Sequence, residues 1–240
     1  MKYIELFKDG FDSTIVEKIK PENWPYVGYS PNEGLRLSMI LEENQSGYQM
    51  VDLGLSVKWA TFNVGATKPE EYGDYFAWGE TEPKENYDWS TYKHCNGSKQ
   101  KLTRYCNNIS YGNNGFTDNE NQFYVSEDDA AIVNCGGDWR MPTDADWKEL
   151  RNNCTWTWTT QNGVNGYTVT SYNGNSIFLP AAGYYNGSSL KSAGSYGNYW
   201  ANSCRTDYSY YAWYVYFGSS NVAIEGGDRC YGQSVRPVCP

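Results

Sequence analysis

Hydrophobic and polar residues alternate over residues 51–60, the clearest such pattern in the chain. The alternate apolar positions are Val51, Leu53, Leu55, Val57 and Trp59. Successive side chains of a strand point to opposite faces of a sheet, so this period predicts a half-buried β-strand that opens the main domain. Further strands are predicted, each bounded by Gly or Asn turns, at 74–78, 155–159, 167–170 and 177–181.

The first 46 residues form a separate pattern. Apolar residues alternate over 35–41, which predicts another strand, and prolines and glycines divide residues 21–34 into short pieces. A polar stretch at 42–47 is typical of a connector. The sequence therefore predicts a small β-rich attachment or oligomerisation module over residues 1–46, followed by a ligand-binding domain over residues 47–240.

Two helices are predicted in the middle of the main domain. Ser126 and Asp129 have the spacing of a capping box, and Gly136 ends the helix that follows. Thr143 and Asp146 repeat that spacing before a second helix. This helix is predicted to turn two side chains toward the core: Trp147 and Leu150. Beyond them only strands and long loops are expected, so the predicted fold class is α+β.

Composition and charge narrow the possible partners. The net charge is −9, and no basic run is present to displace counterions from phosphates, so neither nucleic acid nor an anionic membrane surface is an expected partner. No apolar stretch is long enough for membrane insertion. Charged residues interrupt residues 1–10, so no signal peptide is seen. With 23 Tyr and 10 Trp, the aromatic residues exceed what a core needs, which favours an exposed aromatic surface.

The residue types that carry catalysis or bind metals are sparse. The seven cysteines contain no C-x-x-C pair, which argues against a zinc site. Cys204 and Cys230 lie in the same aromatic-rich region and could form a disulfide, but free thiols are expected. The single histidine, His94, is predicted to be an ordinary surface residue. Adjacent acids such as Asp128 and Asp129 are expected to be solvated or capping. No catalytic residue, metal or cofactor is therefore predicted.

Three stretches carry a family resemblance: VDLGLSVKWATFNVGA (51–66) with GDYFAWGE (73–80), GGDWRMPTDADWKEL (136–150), and LPAAGYYNGSSL (179–190) through GQSVRPV (232–238). Together they resemble the Fibrobacter succinogenes major paralogous domain over about residues 48–240. That family is similar to the C-type-lectin-like fold of formylglycine-generating enzyme and of the variable proteins of diversity-generating retroelements. The resemblance implies a C-type-lectin-like fold with mixed, loop-rich antiparallel sheets.

The resemblance also implies where ligands bind. In variable proteins, adenine-directed mutagenesis enriches a C-terminal stretch in Asn, Tyr, Ser and Asp, and residues 184–231 have that composition. Alternation over 212–217 predicts Trp213, Val215 and Phe217 in the core, with Tyr214 and Tyr216 facing outward. In the next strand Val222 and Ile224 are predicted to face inward, and Asn221, Ala223 and Glu225 outward.

The predicted ligand-binding residues are Tyr196, Asp207, Tyr208, Tyr210, Tyr211, Tyr214, Tyr216, Asn221 and Tyr231. The predicted scaffold residues around them are Trp139, Arg140, Trp200, Trp213, Val235 and Arg236. An exposed tyrosine cluster with a polar rim is typical of a binding surface.

The expected function is therefore non-catalytic binding of a host cell-surface protein or glycan, by a phage tail-tip or other host-recognition protein. Residues 1–46 are expected to join it to a tail fibre or into a homotrimer, which places it on a virion or outside a cell. Two alternatives stay open. One is a Bacteroidales surface or pilus-tip adhesin; the other is a copper-dependent oxidase of the formylglycine-generating type, which would use Cys204 and Cys230.

Calcium-dependent sugar binding is less favoured by the sequence. The E-P-N, Q-P-D and W-N-D triplets of calcium-dependent lectins are missing, and the nearest triplet is Glu82-Pro83-Lys84. The oxygen-bearing residues 118–121 lack EF-hand spacing. A solvated loop is the expectation there.

Overall fold

A computed structural model describes residues 47–118, 120–123 and 126–240. The module predicted over residues 1–46, including its strand at 35–41, lies outside the described residues. No helix in the described part of the chain is long and apolar enough to cross a membrane.

The described residues form eleven strands and two α-helices. The strands are β1 (Met50–Val51), β2 (Lys58–Ala60), β3 (Thr155–Gln161), β4 (Val164–Thr170), β5 (Ser176–Pro180), β6 (Tyr184–Asn186), β7 (Ser189–Lys191), β8 (Tyr196–Cys204), β9 (Tyr211–Gly218), β10 (Asn221–Asp228) and β11 (Val238–Cys239). The helices are α1 (Ala130–Cys135) and α2 (Asp144–Asn153). The strands pair antiparallel in four sheets, ordered β1-β2-β11, β3-β4-β5, β6-β7 and β10-β9-β8. The predicted α+β class with loop-rich antiparallel sheets is confirmed.

The strand predicted from Val51 to Trp59 is wrong as one continuous element. The chain turns between β1 and β2, which then pair with each other, Val51 opposite Trp59. Gly54 adopts a positive φ of 67°, and its N–H donates to the Asp52 side chain at 2.7 Å, so the turn is fixed locally. The alternation of burial survives because Leu53 and Trp59 are both fully buried.

The strand predicted at 74–78 is also wrong. This segment makes one isolated bridge, Phe76 with Gln233, and is otherwise a loop that crosses the core. Its buried backbone groups make isolated hydrogen bonds instead of a ladder; for example, the N–H of Trp78 donates to the carbonyl of Arg229 at 2.8 Å. The strands predicted at 155–159, 167–170 and 177–181 are confirmed as β3, β4 and β5.

Both predicted helices form, but the first has a different cap. Asp129, not Ser126, caps α1 by accepting from the N–H groups of Ala131 and Ile132, while Ser126 begins a short 3-10 turn. Gly136 ends α1 with a φ of 67°, as predicted.

Helix α2 has the full capping box of Thr143 and Asp146. Its buried side chains Trp147 and Leu150 face the core as predicted. The ring of Trp147 lies 4.7 Å from that of Trp59, and its indole N–H donates to the carbonyl of Trp200 at 3.2 Å. One aromatic side chain therefore joins α2 to two different sheets.

Buried Arg236 joins three segments of the scaffold. Its guanidinium donates to the side chain of Asn63 and to the carbonyls of Ala60, Thr61 and Phe178 at 2.8–3.0 Å. Burial lowers the pKa of this group to about 10, so it stays charged at neutral pH. Arg236 and the equally buried Val235 and Trp200 are scaffold residues, as predicted.

Candidate binding surface

The sheet β8-β9-β10 carries most of the predicted site. Within it, Val215 and Phe217 are fully buried, and Val222 and Ile224 of β10 pack against the same core cluster. The inward side of this sheet is therefore as predicted. Trp213 is only half-buried on this side, where the Arg205 guanidinium lies 4.8 Å from its ring.

The opposite side of the sheet presents tyrosines. Tyr214 and Tyr216 lie opposite Glu225 and Ala223 of β10, so all four side chains share this side. Tyr214 is half-buried rather than fully outward, because its ring lies 5.9 Å from Trp200, edge on. Tyr214 is thus both a support and a surface residue.

Tyr196 and Tyr216 form the most regular aromatic pair on this side. Their rings stack with centroids 5.2 Å apart and planes 22° from parallel. Gly218 makes room beneath them, since a Cβ at that position would lie 2.6 Å from the Tyr196 ring. The carboxamide of Asn221 lies near the same glycine, so this predicted site residue borders the pair.

Tyr184 and Tyr231 form a second pair at the other end. Their ring centroids are 5.6 Å apart, and β6 is held beside the Tyr231 loop by two backbone hydrogen bonds between Tyr185 and Gly232, of 2.7 and 3.1 Å. Tyr184 was not among the predicted site residues, although it begins the tyrosine-rich stretch. We call Tyr184, Tyr196, Tyr214, Tyr216 and Tyr231 the tyrosine face.

The loop before β9 and the first residue of β9 carry a second group of rings, Tyr208, Tyr210 and Tyr211, which we call the loop tyrosines. Their centroids are 4.5–5.9 Å apart. Tyr210 also meets Tyr111 edge on at 4.8 Å, and the Lys99 ammonium lies 4.7 Å from the Tyr210 ring. Neither Tyr111 nor Lys99 was predicted, because both come from a loop about a hundred residues earlier.

Asp207 lies at the edge of this loop. Both of its carboxylate oxygens accept from Arg205, which holds the pKa of Asp207 below its usual range. Buried Ser209 anchors the same loop through its hydroxyl to Asn107. The loop tyrosines are therefore attached on both sides.

The hydroxyls of Tyr214 and Tyr231 stay protonated at neutral pH. Burial raises the pKa of Tyr214 to about 12, with Glu225 adding to the shift, and burial beside Asp228 does the same for Tyr231. Each such hydroxyl offers one donor and two acceptor positions beside an apolar ring.

Buried polar atoms without partners occur near the tyrosine face. In the described residues, the side chains of Asn198, Asp228, Gln233 and Ser234 each have one buried polar atom without a hydrogen-bond partner. Asn198 lies directly opposite Tyr216 in the sheet, and a Cβ on Gly227 would contact both Tyr214 and Gln233. Buried polar side chains, Asn198 and Gln233, therefore lie beside the rings of Tyr216 and Tyr214.

His94 is buried with 3% of its surface exposed, so its prediction as a surface residue is wrong. Its Nε2 lies 2.9 Å from the carbonyl of Gly79 and 3.5 Å from Asp128. Asp128 is also fully buried rather than solvated, within reach of Lys93, Arg104 and Tyr105 at 2.7–2.9 Å. Asp128 is thus paired inside the fold with two cations, Lys93 and Arg104, and His94 packs beside it.

The cysteines predicted for an oxidase do not form a pair. Cys204 and Cys230 are free thiols, each at most 4% exposed, and they belong to different core clusters. Burial raises the pKa of Cys204 to about 11 and that of Cys230 further. Both thiols are therefore protonated and shielded.

The Asp118 carboxylate is occupied by backbone groups. Its oxygens accept from the N–H groups of Tyr105, Cys106 and Glu120 at 2.6–3.2 Å. It is therefore not the solvated side chain that the sequence suggested. Among the described residues, no group of three or more His, Cys, Asp or Glu side chains is arranged to hold a metal ion.

The C-terminal stretch is similar to one known family. The family model for a domain of unknown function, DUF8237, matches residues 156–238. That range includes all five residues of the tyrosine face and the three loop tyrosines. No curated protein and no solved structure matches the chain.

Proposed function

We propose that this chain is a non-catalytic ligand-binding protein, and that the tyrosine face and the loop tyrosines bind the surface of a macromolecular partner. The observation that carries the proposal is the clustering of eight partly exposed tyrosine rings, those of the tyrosine face and the loop tyrosines, around a side of the sheet on which Trp200 and Ala212 are core. Tyr196 and Tyr208 are 39% and 43% exposed, and the remaining rings are half-buried.

The rings are held in place before any partner arrives. Tyr196 stacks on Tyr216, Tyr214 rests on Trp200, and Tyr210 is enclosed by neighbouring rings. A tyrosine has few side-chain torsions, and fixing them in advance lowers the entropy lost on binding. Such a surface provides contact area and hydroxyl hydrogen bonds with a small loss of side-chain entropy on binding.

The proposed scaffold is a C-type-lectin-like fold, and the proposed partner is a host cell-surface protein or glycan. Support comes from the family resemblance, from the antiparallel, loop-rich α+β architecture, and from the Tyr, Asn and Ser composition of residues 184–231. A receptor-binding role at a phage tail tip fits these properties. The shielded thiols of Cys204 and Cys230 give no support to the oxidase alternative.

Binding of the labelled chain to a panel of bacterial cells tests this proposal by flow cytometry. The Y196A/Y216A double variant removes the stacked pair, and Y172A removes a tyrosine that is 83% exposed but lies outside the surface. We expect cells that bind the parent chain to bind Y172A equally and to lose the double variant. Equal binding of the double variant, with its fold intact by circular dichroism, would contradict the proposal.

A further inference from the structure

A turn with an apolar tip lies beside the loop tyrosines. The N–H of Tyr111 donates to the carbonyl of Asn108 at 2.9 Å, and the N–H of Ser110 donates to the Asn108 side chain at 2.9 Å. Ile109 occupies the tip of this turn and is 69% exposed. Among the large apolar side chains of the described residues, only Tyr172 is more exposed. The turn thus holds an aliphatic side chain in solvent.

Asn107 attaches the start of this turn to the loop before β9. Its side-chain amide donates to the carbonyl of Thr206 at 2.9 Å, and its side-chain oxygen accepts from the hydroxyl of Ser209. Ser209 is fully buried, so this anchor is shielded from water. One side chain therefore fixes the turn against both sides of Tyr208 in the sequence.

Tyr111 attaches the other end of the turn to the same loop. Its ring meets that of Tyr210 edge on, with centroids 4.8 Å apart. Burial raises the pKa of Tyr210 to about 12, and a hydrogen bond with the Tyr111 side chain adds to the shift. Both ends of the turn are therefore held against the loop tyrosines. Ile109 and the 43% exposed Tyr208 thus belong to one continuous surface.

This part of the surface carries little net charge. Residues 107–111 include no charged side chain, and Asp207 on the neighbouring loop is paired with Arg205. The Lys99 ammonium lies over the Tyr210 ring. Interfaces match charge with charge and place apolar groups at their centre, with polar groups around them. The surface around the turn is therefore complementary to an apolar patch and not to a strongly charged one.

An exposed isoleucine recovers hydrophobic free energy only when a partner covers it with apolar groups. Its side chain neither donates nor accepts a hydrogen bond, so it gains little against the hydroxyls of a glycan. We infer that residues 107–111 extend the binding surface, and that Ile109 packs with Tyr208 into an apolar patch of a protein partner. The inference rests on the proposed binding function. It deepens that function by adding a contact outside residues 156–238 and by naming a protein as the partner.

Flow cytometry with bacterial cells that bind the labelled parent chain tests this contact. I109S removes the aliphatic tip, I109L keeps its apolar area, and V133S makes a matched change at an exposed residue of α1. We expect I109S to raise the concentration for half-maximal binding at least about tenfold. I109L and V133S should stay within about twofold of the parent chain. Parent-like binding by I109S, or an equal loss in V133S, would overturn the inference.

Treatment of the same cells tests the chemical class of the partner. Proteinase K digests exposed proteins, and periodate cleaves the vicinal diols of sugars. We expect proteinase K to abolish binding of the parent chain and periodate to leave it unchanged. Binding that survives proteinase K, or binding that is lost after periodate, would overturn the assignment to a protein.

The two proposals fail in distinguishable ways. Loss of cell binding in Y196A/Y216A together with full binding in I109S would leave the binding function standing and overturn the contact at Ile109. Unchanged cell binding in Y196A/Y216A would contradict the binding function itself. A panel in which no cell binds the parent chain would contradict both.

Discussion

Tyr196 of β8 and Tyr216 of β9 stack with ring centroids 5.2 Å apart, on the side of the sheet that also carries buried Trp200. The sheet register pairs Tyr196 with Gly218 and Tyr216 with Asn198, so the two rings meet diagonally. Gly218 has no side chain, so the Tyr196 ring lies against its backbone and stacks on Tyr216 while both rings remain partly exposed.

Loss of the stacked pair is expected to affect stability only slightly. Y196A/Y216A should lower the free energy of unfolding by no more than about 2 kcal/mol, since such aromatic pairs contribute about 0.5–1.5 kcal/mol beyond their buried area. F217A, on the buried side of the same strand, should cost about 3–5 kcal/mol. Urea denaturation measures both. Similar losses would show that the tyrosines are core residues.

Gly197 is expected to tolerate no side chain. A Cβ at this position would lie 2.0 Å from the Phe217 ring, so G197A should destabilise the protein by about 1–3 kcal/mol through overpacking. The G197A/F217L double variant relieves that contact, and its cost should be clearly less than the sum of the single variants in denaturant titrations. Additive costs would show that the two positions are independent.

Arg236 is expected to be irreplaceable by lysine. R236K keeps the charge but leaves several acceptor oxygens on Asn63, Ala60, Thr61 and Phe178 without donors, because one ammonium does not span them. We expect a loss of at least about 2 kcal/mol in the free energy of unfolding. R151K, at an exposed position, should change it by less than about 0.5 kcal/mol. Equal losses would contradict this assignment.

Asp128, with its partners Lys93, His94 and Tyr105, is expected to determine how the free energy of unfolding falls at acidic pH. Burial alone would raise the pKa of Asp128, but hydrogen bonds from His94, Lys93 and Tyr105 outweigh it and hold the pKa far below its ordinary value. A carboxyl with a lowered folded-state pKa stabilises above its unfolded pKa of about 4, and that contribution disappears as the pH falls further. D128N should lose stability at pH 7 and show a shallower decline between about pH 4 and pH 2. An unchanged slope in that window would contradict this role.

Thiol labelling measures how well the buried cysteines are shielded. Burial raises the pKa of Cys204 to about 11 and that of Cys135 to about 12, which reduces the thiolate fraction of Cys204 about 100-fold or more relative to an ordinary thiol. Iodoacetamide at pH 8, followed by mass spectrometry, should modify the half-exposed Cys95 and Cys154 first. Rapid native modification of Cys204 would reopen the oxidase alternative.

Local signals in the sequence predicted much of the fold correctly. The capping box at Thr143 and Asp146 marks α2 because both partners lie within one turn, and the alternation over 212–217 identifies Val215 and Phe217 as core. Both features depend on residues close together in the chain. The strands of the β3-β4-β5 sheet were predictable for the same reason.

One error comes from a local turn, and the others come from tertiary contacts. The alternating residues of 51–59 are buried as predicted, yet the turn at Gly54 folds them into two short strands. His94 and Asp128 are buried against partners distant in sequence. Tyr214 is half-buried because Trp200, opposite it on β8, and Gln233, from the segment after β10, pack against it. Tyr184 joins the face only because β6 pairs with the loop at Gly232.

Sequencing the 3′ end of the gene across many members of the source population, together with the adjacent DNA, distinguishes a diversified binding surface from a fixed one. We predict substitutions confined to adenine-template codons, concentrated at Tyr184, Tyr196, Tyr214, Tyr216 and neighbouring surface positions, while Val215, Phe217 and Arg236 stay constant. An invariant 3′ end, or substitutions that fall equally on core and surface positions, would contradict a diversified binding surface.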